Sequence, residues 1–129
     1  MAGVLALGLV AGGDIGCVTP SESCICTESF AFLLINVRDP AGQAATGVTL
    51  TITQVRTGQV LAVQQDVTTA GAYLILDDSF RTVIAPEGET LHVTGQKGST
   101  AFAVDVVVKT DACHCHVSRV SGPTVVTIQ

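Results

Sequence analysis

At 129 residues the chain is long enough for one domain and too short for two of ordinary size. It is 47% hydrophobic but only 4% aromatic, with no Trp, so its core must be built from Val, Ile, Leu and Ala, and the abundance of Val and Thr favours strands over helices. The net charge is −5 and the six Lys and Arg are scattered singly, which excludes the concentrated positive charge that nucleic-acid binding needs.

Residues 1–16 form a signal-peptide-like apolar segment. Met1 to Ala11 (MAGVLALGLVA) is an unbroken apolar and small run, of a length that suits a signal peptide and falls short of a membrane span. No Lys or Arg precedes it; a start upstream would supply the positive leader. Cys17 follows Ile15-Gly16, which resembles the end of a lipoprotein cleavage site, although Asp14 stands where Leu is usual. Two readings stand side by side: a plain signal peptide, with Cys17 an odd thiol or a bridge partner, and a lipid anchor on Cys17 that tethers the chain to a membrane. Residues 17–29 are polar, carry Pro20, Cys24 and Cys26, and read as a tether.

Residues 30–129 read as one β-sandwich domain. Phe30 to Val37 is a strand with Leu33, Ile35 and Val37 on one face and Phe32 and Leu34 on the other, so it lies under a second layer or pairs with another subunit. Asp39-Pro40-Ala41-Gly42 is a turn. Val48 to Gln54 alternates, with Val48, Leu50 and Ile52 facing in and Thr49, Thr51 and Thr53 facing out. Val60 to Val63 and the Gly-led run Gly71 to Leu76 follow as strands. Residues 80–85 fit a short strand or a helical turn. Thr90 to Gly95 is a strand with Leu91 and Val93 inward and His92 outward. Phe102, Val104, Val106 and Val108 share the inner face of a longer strand, with Asp105 and Lys109 outside. Thr124 to Gln129 closes the fold. Seven or eight short strands with regular turn signals predict an all-β, two-sheet antiparallel β-sandwich.

Four of the five cysteines fall in two Cys-x-Cys pairs, Cys24-Ile25-Cys26 and Cys113-His114-Cys115. In an extended segment residues i and i+2 share a face, so each pair presents two sulfurs on one side. If the segments lie together, two disulfides form, each closing a loop of about 90 residues and the first adding about 4 kcal/mol in the chain-entropy model. Antiparallel neighbours favour Cys24 with Cys115 and Cys26 with Cys113; the other pairing remains open. The alternative is a metal such as zinc or copper held by the four thiolates, with His114 and His116 beside them. The Cys-x-Cys spacing is tighter than structural zinc sites use, and no cofactor is expected. Paired cysteines in a small domain fit an oxidising, extracytoplasmic compartment: the cell surface, outer membrane or periplasm.

Through Ile35 to Gly42 (INVRDPAG), Gly47 to Thr51, Gly71-Ala72-Tyr73, Thr90 to Gly98 and Val106 to His114, taken in order, the chain resembles the bacterial carboxypeptidase-regulatory-like domains, the first segment being similar to the family's first strand and turn. It departs from the family in carrying Cys113-His114-Cys115 where one cysteine is common, and in the matching Cys24/Cys26 pair. The resemblance implies a transthyretin-like sandwich and a non-catalytic accessory, adhesive or scaffolding role, often in a lipoprotein. It brings no catalytic residue across.

The residues themselves carry no phosphate loop, no Gly-x-Ser-x-Gly elbow and no His-Glu-x-x-His helix, and no catalytic residue or enzyme activity is expected. Asp77-Asp78 and the Glu87/Glu89 pair read as solvated turns, His114 and His116 as solvent-facing or strand-capping, and the Thr49, Thr51, Thr53 row as the wet side of a strand. The expected function is an exported structural, adhesive or interaction module at the cell surface, its partner a protein, a glycan or a second copy of itself. The alternatives are a self-assembling subunit of an extracellular filament or layer, and a metal-binding protein.

Overall fold

The computed structural model describes residues 24–129. The apolar segment 1–16, Cys17 and the first part of the tether lie outside the described residues. Eight strands form among those described: β1 (Phe32–Arg38), β2 (Thr49–Gln54), β3 (Gln59–Leu61), β4 (Ala72–Asp77), β5 (Glu89–Lys97), β6 (Thr100–Thr110), β7 (Val117–Ser121) and β8 (Val125–Thr127). They build a three-stranded sheet, β4-β1-β8, and a five-stranded sheet, β3-β2-β5-β6-β7. The expected sandwich is therefore the fold adopted.

Period-two patterning drives each sheet's inner face toward the other. Leu33, Ile35 and Val37 of β1 meet Ile52 of β2, Leu91 and Val93 of β5, and Val106 and Val108 of β6 in one core closed by Val117, Val126 and Ile128. The second apolar face expected of β1 is only partly covered: Leu34 is half-buried and Phe32 is 60% exposed. The single tyrosine locks a corner. Tyr73 Oη donates to the Ala45 carbonyl at 2.7 Å and accepts from the Val48 amide at 3.1 Å. Gly71 beside it is obligatory: its φ is +80°, and a Cβ there would stand 2.8 Å from Ala44 Cβ.

Two details differ from the sequence expectation, and a third decides between its alternatives in favour of the helical turn. Val117–Ser121, unassigned above, is a strand against β6, with a register shift between Val107 and Val108. The closing strand β8 pairs parallel with β1, Val37 opposite Val126, in an otherwise antiparallel fold. Residues 80–85 form no strand; a 3₁₀ turn at Asp78–Phe80 is followed by further turns, with Asp77 as its N-cap accepting from the Ser79 amide.

The free edge of β4 is blunted by a side chain. Gln65 accepts from the Leu74 amide through Oε1 at 2.8 Å and donates to the Leu74 carbonyl through Nε2 at 2.7 Å. A strand approaching that edge finds this ladder position occupied.

Candidate functional site

The end of β4, the start of β7 and the last residues of the tether converge on one carboxylate. Leu76 faces the core with its ladder partner Leu33, and the same parity carries Asp78 inward one step past the strand. The Asp78 amide donates to the Ala31 carbonyl at 3.2 Å, and the Ala31 amide returns a bond to Oδ2 at 2.8 Å, so the side chain extends the β1–β4 ladder. Oδ1 accepts from the Val117 amide at 2.8 Å, which fixes the start of β7. His116 Nδ1 lies 2.6 Å from Oδ2. The Asp78 side chain is 3% exposed and that of His116 28%. Asp78 is thus no solvated turn residue, and His116 faces a carboxylate instead of solvent alone.

Burial opposes ionisation of Asp78, but the Ala31 amide, the His116 ring and the Val117 amide together outweigh it and hold the carboxyl below its ordinary value. An ionised carboxylate only accepts hydrogen bonds. His116 must therefore donate from Nδ1, and in that tautomer the lone pair falls on Nε2. That nitrogen lies 2.8 Å from Thr27 Oγ1, which in turn sits 3.0 Å from Ser29 Oγ. The sequence thus brings together Thr27, His116 and Asp78 in a hydroxyl–imidazole–carboxylate row.

Two disulfides bind this corner. Cys24 joins Cys113 and Cys26 joins Cys115, with Cα–Cα separations of 5.4 and 5.3 Å. The two segments run in the same direction, which corrects the antiparallel pairing favoured from spacing. The reason is a turn where an extended segment was expected. Asp111 Oδ1 accepts from the Cys113 and Cys115 amides at 3.1 and 2.8 Å, and His114 takes a φ of +55°. This left-handed conformation is more accessible to His than to most residues. The Cys115 and Cys113 amides, with that of His116, also hold the Asp111 carboxyl below its ordinary value against weak desolvation. With the four sulfurs bonded to one another, the alternative of a thiolate-bound metal is not the state found. The two histidines are engaged elsewhere: His114 Nδ1 stands 3.3 Å from the Arg81 carbonyl, and His116 bridges Asp78 and Thr27.

A cavity of about 180 Å³ opens at the row, with Thr27, Ser29, Phe30, Asp78, Arg81 and His116 among the residues that line it. Phe30 and Phe32 stack edge-on beside it at 5.2 Å. A larger, open groove of about 730 Å³ lies on the outer side of the five-stranded sheet, where Thr49, Thr51, Thr94 and Gln96 meet Ala101 and Ala103. This is the threonine row of β2, extended by β5 and β6. His92 lies on the same outer face, as expected, with Nδ1 2.7 Å from Asp105.

A second buried carboxylate, Glu89 at the start of β5, was read from sequence as a solvated turn residue and is not one. Its side chain is 3% exposed, and Oε2 accepts from Gln54 Nε2, Arg56 and the Ala85 amide at 3.1, 3.0 and 2.8 Å. Desolvation is again outweighed, here by Arg56, Ala85 and Gln54, so this carboxyl too lies below its ordinary value.

Comparison of the chain with family models, with curated proteins and with solved structures finds no match in any of the three. The four cysteines read as a clamp do come together. Among the described residues no helix is long and apolar enough to cross a membrane. The disulfides are compatible with an oxidising, extracytoplasmic location.

Proposed function

We propose that the chain is an exported β-sandwich module, tethered at its N-terminal end, with a structural or adhesive role at the cell surface. The observation that carries this reading is the double clamp. Both bridges tie the last residues of the tether to the loop before β7, so a pull on the tether meets covalent bonds before it meets the hydrogen-bonded ladders. Such an arrangement suits a domain held at one end and loaded at the other. The signal-like segment and Cys17 supply the export and, in the lipid-anchor reading, the attachment. The likeness to carboxypeptidase-regulatory-like domains supports the same role.

The surface offered to a partner is the threonine groove of the five-stranded sheet. Its hydroxyl and amide groups alternate with small side chains, a lining suited to an extended polar ligand such as a glycan or a peptide strand. Strand addition by a second copy, which the self-assembling reading calls for, is disfavoured at the β4 edge, where Gln65 occupies a ladder position.

The test is to produce the full chain in its native host and fractionate the cells. The expected result is protein in the cell envelope, accessible to a membrane-impermeant label, with Cys24, Cys26, Cys113 and Cys115 oxidised. Protein in the cytoplasm with those four thiols free overturns the reading.

A further inference from the structure

We propose that the Thr27 hydroxyl is an acyl-accepting nucleophile, with His116 as its base and Asp78 as the group that positions the base, and that it takes the acyl group of small carboxylic esters. This goes beyond the structural role and does not depend on it.

The geometry is that of an activated hydroxyl. A nucleophile needs a base within hydrogen-bond reach, and the base needs a third group to fix its tautomer. Thr27 Oγ1 stands 2.8 Å from His116 Nε2, and His116 Nδ1 stands 2.6 Å from Asp78 Oδ2. Such a row is recognised by geometry and roles, whatever the order of its members along the chain. Asp78 is itself held by the Ala31 and Val117 amides, so the ring cannot turn without breaking a buried junction.

The spacing is also covalently fixed. Cys26 directly precedes Thr27, Cys115 directly precedes His116, and these two cysteines are bonded to each other. The exposed tether therefore carries its hydroxyl to the imidazole at a distance the bridge maintains. The cavity of about 180 Å³ at this point is smaller than the pockets that enclose drug-sized ligands. It suits a short acyl group, with the Phe30 ring as an apolar wall. Arg81 lines the same cavity, and its Nη1 donates to the Asp78 carbonyl at 2.9 Å, which holds its positive charge beside the row. Glu28 and Asp78 line the cavity too, so an oxyanion is favoured on its Arg81 side alone.

The chemistry balances without any further reagent. Thr27 Oγ adds to the ester carbonyl carbon while its proton passes to His116 Nε2, and the carbonyl oxygen takes the negative charge. The intermediate collapses, the bond to the alcohol oxygen breaks, and the departing alcohol takes the proton from Nε2. Water then attacks acyl-Thr27 by the same route, freeing the carboxylic acid and restoring the hydroxyl.

The probe is p-nitrophenyl acetate, applied to the full oxidised chain. Release of p-nitrophenolate should exceed that of Thr27→Ala by about 100-fold, the low end of what a positioned base contributes. Mass spectrometry should find one acetyl group on the peptide that contains Thr27. Thr27→Ser, which keeps a hydroxyl, should be acetylated at position 27, where Thr27→Ala is not. His116→Ala should lose the activity, and added imidazole should restore part of it, a rescue that a merely structural histidine does not give. Thr27 is exposed, so its variants test the idea even if His116→Ala folds poorly. Release no faster than from Thr27→Ala, or acetyl groups on lysines or Ser29 alone, overturns the proposal.

Discussion

Asp78 and Glu89 are both carboxylates buried at strand ends, and the fold satisfies them differently. Asp78 uses both oxygens: Oδ1 takes the Val117 amide, and Oδ2 takes the Ala31 amide and His116. Glu89 collects its three donors on Oε2, and Oε1 has no partner. The partners differ in kind as well. Glu89 faces Arg56, whose guanidinium keeps its proton at any ordinary pH. Asp78 faces an imidazole, which can take up and release one. The first arrangement can only hold structure together. The second has an exchangeable proton as well, and the Thr27 hydroxyl lies on the far side of its imidazole.

The largest expected effect concerns the clamp that only the Asp78 corner has. Each bridge spans 89 positions, so either alone closes nearly the same loop. Replacing one pair by serines should cost little in urea unfolding, and replacing both should cost about 4 kcal/mol. Equal, additive losses from the two pairs would show that the bridges act independently.

The next effect separates the carboxylates by amide substitution. In Asp78→Asn either placement of the NH₂ group sets a donor against a donor, because both oxygens already accept. The loss should approach that of Asp78→Ala, about 3 kcal/mol for two orphaned amides and a displaced histidine. In Glu89→Gln the NH₂ can take the vacant Oε1 position and leave Oε2 to its donors. The loss should be about 1 kcal/mol, since Arg56 is 49% exposed and water screens its charge. Chemical denaturation of the four variants, Asp78→Ala, Asp78→Asn, Glu89→Ala and Glu89→Gln, checks the contrast. An Asn as mild at 78 as Gln is at 89 would erase it.

The smallest effect is in acid. Both carboxyls lie below their ordinary values in the folded chain. The unfolded chain therefore binds more protons, and stability falls as pH drops. Their contribution is complete above the unfolded carboxylate range of about 4 and is lost as pH falls through the lower folded values. A pH series of unfolding midpoints should show this slope, and Glu89→Gln should flatten it in part while leaving the share due to Asp78 and Asp111.

Much of the framework was legible because strand parity is strict. Leu33, Ile35 and Val37, and Val106 and Val108, all face the core as alternation requires. The same rule, carried past the apolar residues, would have found every buried polar group. Gln54 continues Ile52, Asp78 continues Leu76, Glu89 precedes Leu91, and Thr110 follows Val108, each two positions away. Asp78 and Glu89 read as turn residues from their chemistry, and position overrides it. Other features had no local signal. The row of Thr27, His116 and Asp78 joins positions 89 and 38 residues apart, which only the folded topology brings together. The pairing of the disulfides depends on the turn at His114, and no rule of extended spacing contains it. In β7, Ser118 and Arg119 interrupt the valines, so the strand forms by pairing with β6 and not by its own pattern.

The clamp is tested most directly by the intact mass of the chain purified from its native host under non-reducing conditions, followed by partial reduction and mapping of the linked peptides. The account predicts a loss of four hydrogens relative to the fully reduced form, with Cys24 bound to Cys113 and Cys26 to Cys115. A mass showing those four thiols intact, or sulfurs joined in the crossed pairing, contradicts it.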